Sequence, residues 1–296
     1  MYTSNAARLN EPEATTFTRL ADHPREPWGH FGDDRILVHS TLDRLRGLVF
    51  SKRARQAWAL QYQEAKHRFN REASRNVVQN CISEDVYEDI LYRVMQAEDD
   101  PVIVHPHPSF ADPDHDGYEV QRRGPTNALP FDFADYLAAR LGLEVDTEIV
   151  QAGRVGRTDM SREQRFIWQP IFTGRVRRGT PYILCDDVCT IGGTLAALRS
   201  YIVRNGGTIL AVTTLAHGKG VHQTFAIAPQ TATVLQSAYG PGLNGLWRGM
   251  IGHDTYCLTD AEGRVLVRWS AEGATDRSGS TPLQRLRDRL TQAATS

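Results

Sequence analysis

The segment Tyr182-Ile183-Leu184-Cys185-Asp186-Asp187-Val188-Cys189-Thr190-Ile191-Gly192-Gly193-Thr194 restricts what this chain can fold into more than any other stretch. Four apolar residues followed by two acids predict a buried strand that delivers two carboxylates to its C-terminal edge, where open α/β sheets bind ligands. The threonine- and glycine-rich residues after them open a helix expected over 195–204. Glycines there let backbone N–H groups close around an anion at the positive end of the helix. A phosphate in the loop and vicinal hydroxyls on the acids together describe one phosphorylated sugar. A plain strand-to-helix turn, with Asp187 as a turn residue, would account for the glycines but not for the acid pair at fixed distance from both threonines. The loop lacks the Gly-Lys-Ser/Thr of a P-loop, and the dinucleotide fingerprint GxGxxG is absent.

The rest of the chain frames this segment. Residues 1–30 are rich in Pro, Asn, Thr and charge and read as a tail or loosely packed arm. From 41 to 96 the apolar residues recur at helical spacing, as in Trp58, Tyr62, Ala65 and Phe69, which predicts two to four helices. Short apolar runs then alternate with helical stretches. Strands are expected at 102–104, 143–150, 182–185, 209–215 and 233–235, and helices at 131–141 and 195–204. That alternation predicts an α/β fold with a mainly parallel central sheet flanked by helices. Two turn-rich pieces come next, 240–252 and a hairpin over 255–269 turning at Asp260-Ala261-Glu262-Gly263, and a basic amphipathic helix over 283–290 comes last. The expected division is an N-terminal tail and helical extension over 1–98, an α/β core over 99–240 and a hood-like hairpin region with its tail over 241–296.

Charge and cysteine usage exclude several classes. Among 296 residues, 34 Lys and Arg stand against 35 Asp and Glu, so no global field draws the chain to nucleic acid or to an anionic membrane. Cysteines 81, 185, 189 and 257 form no CxxC pair and stand near no histidine at zinc-finger spacing, so neither a disulfide framework nor a structural zinc is expected. No stretch approaches the roughly 18 apolar residues that span a bilayer, and residues 1–25 lack an apolar leader core. The expectation is a cytoplasmic protein with no membrane partner.

The segment 182–194 resembles the 5-phosphoribosyl-1-pyrophosphate motif of type I phosphoribosyltransferases. The resemblance implies that Asp186 and Asp187 hold the ribose hydroxyls, and Mg²⁺ indirectly through those hydroxyls or through water. Cys185, Val188 and Cys189 line the same stretch, and Thr190, Ile191, Gly192, Gly193 and Thr194 would hold the 5′-phosphate. Many family members carry a second hydroxyl residue where Ile191 stands, so one phosphate contact is missing. The family also expects a pyrophosphate loop after an earlier strand, and His105, Pro106, His107 and Ser109, with Pro108 between them, stand where that loop belongs. A rigid surface turn would read the same way. The stretches Arg122-Arg123-Gly124-Pro125-Thr126-Asn127 and 157–165 are similar in order to competence-type (ComF-like) members, whose zinc-binding cysteines are absent here. On that resemblance 153–165 is a mobile loop in which Arg157 and Arg162, with Arg154 and Arg165, meet the developing pyrophosphate charge. Arginines that only solvate a loop are the alternative.

For function, the resemblance implies transfer of the phosphoribosyl group to a nitrogen acceptor such as a nucleobase, with release of pyrophosphate, by a homodimer. Relatives acting on 6-oxopurines have an acid where Thr190 stands, which argues against hypoxanthine or guanine. A rival reading is a non-catalytic sensor of the sugar pyrophosphate, a regulator or competence-type factor binding DNA through basic residues of 41–96 such as Arg44, Arg46, Lys66, Arg68, Arg71 and Arg75. Acids interleaved along the same helices favour a merely solvated face.

Overall fold

The computed structural model describes residues 24–29, 35–106, 126–152, 160–218, 224–272 and 279–295. Five parallel strands form the central sheet: β1 (Ile36–Thr41), β2 (Val102–Val104), β3 (Glu144–Val145), β6 (Pro181–Cys189) and β7 (Thr208–His217), in spatial order β1-β7-β6-β2-β3. Strands β4 (Val150–Ala152) and β5 (Ile171–Thr173) pair separately as an antiparallel ribbon. Side chains alternate across the sheet, as a pleated strand requires. Ile103, Ile183 and Cys185 enter one apolar layer, while Val102, Val104, Tyr182 and Leu184 enter the other.

The first layer is roofed by the helices α2 (Lys52–His67), α3 (Arg71–Cys81), α4 (Glu84–Gln96) and α5 (Leu129–Leu141). The apolar face predicted on α2 is the buried one, through Trp58, Tyr62 and Ala65. Asn70 caps α3 by accepting from the Ala73 amide, and Ser83 caps α4 by accepting from the Val86 amide. Each large apolar side chain sunk here contributes roughly 1.5–3 kcal/mol. On the opposite face lies α7 (Gly193–Arg204), buried through Leu195, Leu198 and Ile202. A third apolar cluster joins α6 (Arg162–Ile167) to four C-terminal helices, α8 (Pro229–Tyr239), α9 (Leu243–Ile251), α10 (Asp260–Ala271) and α11 (Pro282–Thr295). At its centre Phe166 meets Trp247 and Trp269 edge-on, with centroids 5.2 and 5.5 Å away.

Several expectations are corrected. The chain enters the sheet before the helical block. β1 pairs in parallel with β7, and Thr41 then caps α1 (Leu42–Leu45). The strand expected over 143–150 is broken because Asp146 Oδ1 accepts from the amides of Glu148 and Ile149, which turns the chain out of the sheet. Residues 233–235 belong to α8, started by Pro229 in its first turn, and 240–252 contains α9. The hairpin over 255–269 is a helix. Thr259 accepts from the Glu262 amide while the Glu262 carboxylate accepts from the Thr259 amide, so Asp260-Ala261-Glu262-Gly263 is the first turn of α10. Residues 24–29 are no loose arm. Arg25 is buried, and Arg199 of α7 donates to the carbonyls of Glu26 and Trp28.

Candidate functional site

From β2 the chain crosses through α5 to β3 on one side, and from β6 it crosses through α7 to β7 on the other. Neighbouring strands whose connections leave in opposite directions open a crevice at their C-terminal ends, which is where such sheets take ligands. β6 pairs with β2 only as far as Leu184, yet stays paired with β7 through Asp186, Val188 and Cys189. The two acids therefore sit inside β6, just past the point where its β2 partner ends. This refines the expected arrangement, in which the strand stops before them. His105 and Pro106 follow β2 into the same crevice, both buried, and the His105 ring lies 4.4 Å from that of Phe131. His107 and Ser109 lie outside the described residues.

Both carboxylates are nearly withdrawn from water, Asp186 at 8% and Asp187 at 4% exposure. The Asp187 amide donates to Asp186 Oδ1 at 2.8 Å. Asp187 Oδ2 accepts from Asn127 Nδ2 at 3.2 Å and from the Lys66 ammonium in a close ion pair. Asn127 is fixed in turn because its Oδ1 accepts from the Leu129 amide at the start of α5. Lys66 comes from the last turn of α2. Burial pulls its pKa down, but the Asp187 carboxylate outweighs burial and leaves it above the ordinary value. Tyr62, one helical turn earlier, has its phenol pushed up by burial and then by the same carboxylate, against the opposing pull of Lys66. Lys66 as a site residue has no counterpart in the sequence reading, which grouped it with surface cations. Its spacing of four from Tyr62, beside Ala65 on the buried face, was the available signal.

The loop after β6 is shaped by Gly192, which caps α7 at φ +79. A Cβ there would stand 3.0 Å from the Phe225 ring and 3.1 Å from the Thr259 methyl, so both conformation and space require glycine. No acid occupies the first turn of α7 and no side chain caps it. Thr190 is exposed and its Oγ1 accepts from Arg165 Nη1 at 3.4 Å. Arg165 and the exposed Arg162 share α6, and burial, then Arg162, lowers the Arg165 pKa. Of the arginines expected to meet pyrophosphate, Arg165 is thus at the loop and Arg162 is beside it, while Arg154 and Arg157 lie outside the described residues.

The loop is also held from behind, by residues the sequence reading missed. The Thr259 hydroxyl donates to the Ile191 carbonyl, and Arg25 Nη2 donates to the Gly193 carbonyl at 3.3 Å. Arg25 forms a two-pronged ion pair with Glu262, at 2.6 and 2.9 Å. Burial pushes the Glu262 carboxyl up, and Arg25 overcomes that push and holds it below the ordinary value. The thiols of Cys185 and Cys189, fully enclosed, are pushed up by burial and serve packing rather than nucleophilic attack.

Among the described residues no group of three or more His, Cys, Asp and Glu side chains could hold a metal. The acid pair offers two carboxylates, one engaged by an ammonium, so the described side chains build no Mg²⁺ cage of their own. No described helix is long and apolar enough to cross a membrane.

No family model matches the chain. Protein TraN of Escherichia coli is 32% identical over 254 residues, which cover 86% of this chain and 50% of TraN. An uncharacterized protein of Haemophilus influenzae is 40% identical over 78 residues, 26% of this chain and 17% of its own. The chain thus spans half or less of the length of these curated relatives. Among solved structures, the adenine phosphoribosyltransferase of Leishmania tarentolae is 12% identical with a TM-score of 0.29, covering 50% of this chain and 77% of its own. The orotate phosphoribosyltransferase of Aeropyrum pernix is 14% identical with a TM-score of 0.22, covering 46% and 74%. Scores this low carry no argument about chemistry. What stands on the chain's own geometry is an α/β fold with a parallel sheet and a built crevice at its switch point.

Proposed function

We propose that the chain is a phosphoribosyltransferase domain that binds 5-phosphoribosyl-1-pyrophosphate and passes its phosphoribosyl group to a nitrogen acceptor. One observation carries the reading. Two buried, adjacent carboxylates stand where β6 outruns β2, and a glycine-shaped loop leads from them directly into the amino end of α7. The carboxylates accept from the ribose hydroxyls, while the loop amides and the hydroxyls of Thr190 and Thr194 donate to the 5′-phosphate. In the transfer step the bond from ribose C1 to the pyrophosphate oxygen breaks and its electron pair leaves with pyrophosphate. The acceptor nitrogen's lone pair forms the new bond to C1, and the proton it carries goes to solvent or to the departing anion. The protein's part is to hold C1 in line and to neutralise the leaving charge, a role for Arg165, which reaches Thr190 of the loop, and for Arg162 on the same helix.

Thr190 places a hydroxyl where a proton-handling acid would serve a 6-oxopurine, so the favoured acceptors need no such base. The sensor reading is separated from this one by turnover. The basic residues that would carry its DNA contact are partly committed elsewhere, Arg71 and Arg75 to Asp132, Arg68 to Glu64 and Lys66 to Asp187. Calorimetric titration of the chain with 5-phosphoribosyl-1-pyrophosphate is the test. Saturable binding that disappears in the double variant Asp186→Asn, Asp187→Asn supports the proposal, and binding unchanged in that variant overturns it. Pyrophosphate release across a panel of bases then distinguishes the enzyme from the sensor.

A further inference from the structure

We infer that Lys66 is the resident counter-cation of the acid pair, so that the site closes around its sugar ligand with a protein ammonium ion at the position where paired carboxylates would otherwise recruit a divalent metal. This rests on the sugar-pyrophosphate reading and adds to it a residue and a cation requirement.

Asp186 and Asp187, adjacent residues at 8% and 4% exposure, have lost most of their water. Such a pair is tolerated only if one acid takes up a proton or a cation comes to it. Here the cation is built in. The Lys66 side chain retains 17% of its exposure and that of Asp187 retains 6%, so the pair lies at the wall of the crevice rather than deep in the core. Lys66 reaches it from α2, which is anchored by Trp58, Tyr62 and Ala65 in the apolar layer under the sheet, and its backbone position is therefore fixed. An ammonium has three N–H donors. One serves Asp187 Oδ2, leaving donors for an anionic oxygen of a ligand that enters the crevice. Asn127 holds the same Asp187 oxygen, so the carboxylate keeps a neutral donor while Lys66 turns toward the ligand. No set of three metal-binding side chains exists among the described residues to compete for this role.

The consequence is a sugar-pyrophosphate site whose affinity depends little on divalent metal. Calorimetric titration of the full chain with 5-phosphoribosyl-1-pyrophosphate, in excess Mg²⁺ and again in excess EDTA, reads this directly. The wild-type dissociation constant is expected to change by less than about threefold, whereas Lys66→Met loses about tenfold or more in EDTA and regains most of it in Mg²⁺. Lys66→Arg, which keeps the charge, stays on the wild-type side. The wild-type arm needs no variant: binding that exists only with Mg²⁺ overturns the inference and leaves the sugar-binding proposal standing. Equal insensitivity to EDTA in wild type and Lys66→Met also overturns it, because the cation is then not Lys66. Failure of the wild type to bind under either condition overturns the underlying proposal instead. Should Lys66→Met not fold by circular dichroism, Lys66→Gln, which removes the charge but keeps a neutral donor for Asp187, takes its place: greater sensitivity to EDTA than wild type is the expected result, and sensitivity equal to that of wild type overturns the inference.

Discussion

The two halves of the crevice are held in opposite ways. Behind the phosphate loop, Arg25 and Glu262 form an ion pair with side chains 3% and 0% exposed, and Thr259 and Arg25 hold the carbonyls of Ile191 and Gly193. The Asp187 carboxylate, by contrast, accepts from the Lys66 ammonium at the crevice wall and from the Asn127 amide. The loop half uses charge where water cannot reach it, to fix backbone. The acid half keeps its charge where a ligand can exchange with it. A phosphate site needs amides that do not move, and a sugar site needs oxygens that change partners, so the same sheet edge solves two different problems.

The sharpest way to break this contrast is Glu262→Ala. It strands a buried guanidinium and removes half of the α10 capping box, and is expected to lower unfolding stability by about 3–5 kcal/mol in urea titration. A loss under about 1 kcal/mol would mean that the brace is solvated and the contrast false. Acid provides the next effect. Burial, then Arg25, lowers the His253 pKa to about 4 on the loop side. Burial lowers that of His39 to about 4 on β1, where its ring meets Phe133 and its Nδ1 accepts from the Ser83 amide. Both rings are neutral when folded and take up a proton more readily when unfolded. Stability is therefore fully present above pH 6.5, falls as pH drops from 6.5 toward 4, and levels off below, by up to roughly 3 kcal/mol for each ring. Unfolding curves across that window for His253→Phe and His39→Phe should each show a shallower slope. Gly192→Ala is expected to cost about 1–3 kcal/mol through its left-handed backbone and the Phe225 contact. It should weaken binding of inorganic phosphate while leaving the environment of Lys66 unchanged by NMR. Asn127→Ala is the smallest, about 1 kcal/mol in stability, and would sharpen the contrast if its main effect is a changed Lys66 side-chain resonance.

How much the sequence disclosed depends on how local each signal is. The strand, acid pair and glycine turn of 182–194 lie in one continuous stretch, and α5 and α7 announce themselves by apolar spacing. The contacts that complete the site span long separations. Lys66 meets Asp187 across 121 positions, and Arg25 meets Glu262 across 237. No local pattern marks a lysine as facing inward until the partner strand is in place. β1 was hidden because its second half, His39-Ser40-Thr41, is polar, and it becomes a strand by pairing with β7. The C-terminal helices were missed for a different reason. Thr259 followed three residues later by Glu262 is a legible helix start, but glycine after the acid made the same residues read as a turn.

The pairing of β6 matters beyond ligand chemistry. Along its first half β6 is an interior strand, paired on both sides, and from Cys185 to Cys189 it is, among the described residues, paired only with β7. A strand that is interior at one end and an edge at the other has a docking register written into it: an extended segment that adds beside it can do so only past Leu184, in line with β2. During folding that gives the sheet, among the described residues, a partial edge at the crevice in addition to the outer sides of β1 and β3, open to a wrong strand from this chain or another, and the side chains beside it, His105, Asn127 and Lys66, guard that edge as well as serving the site.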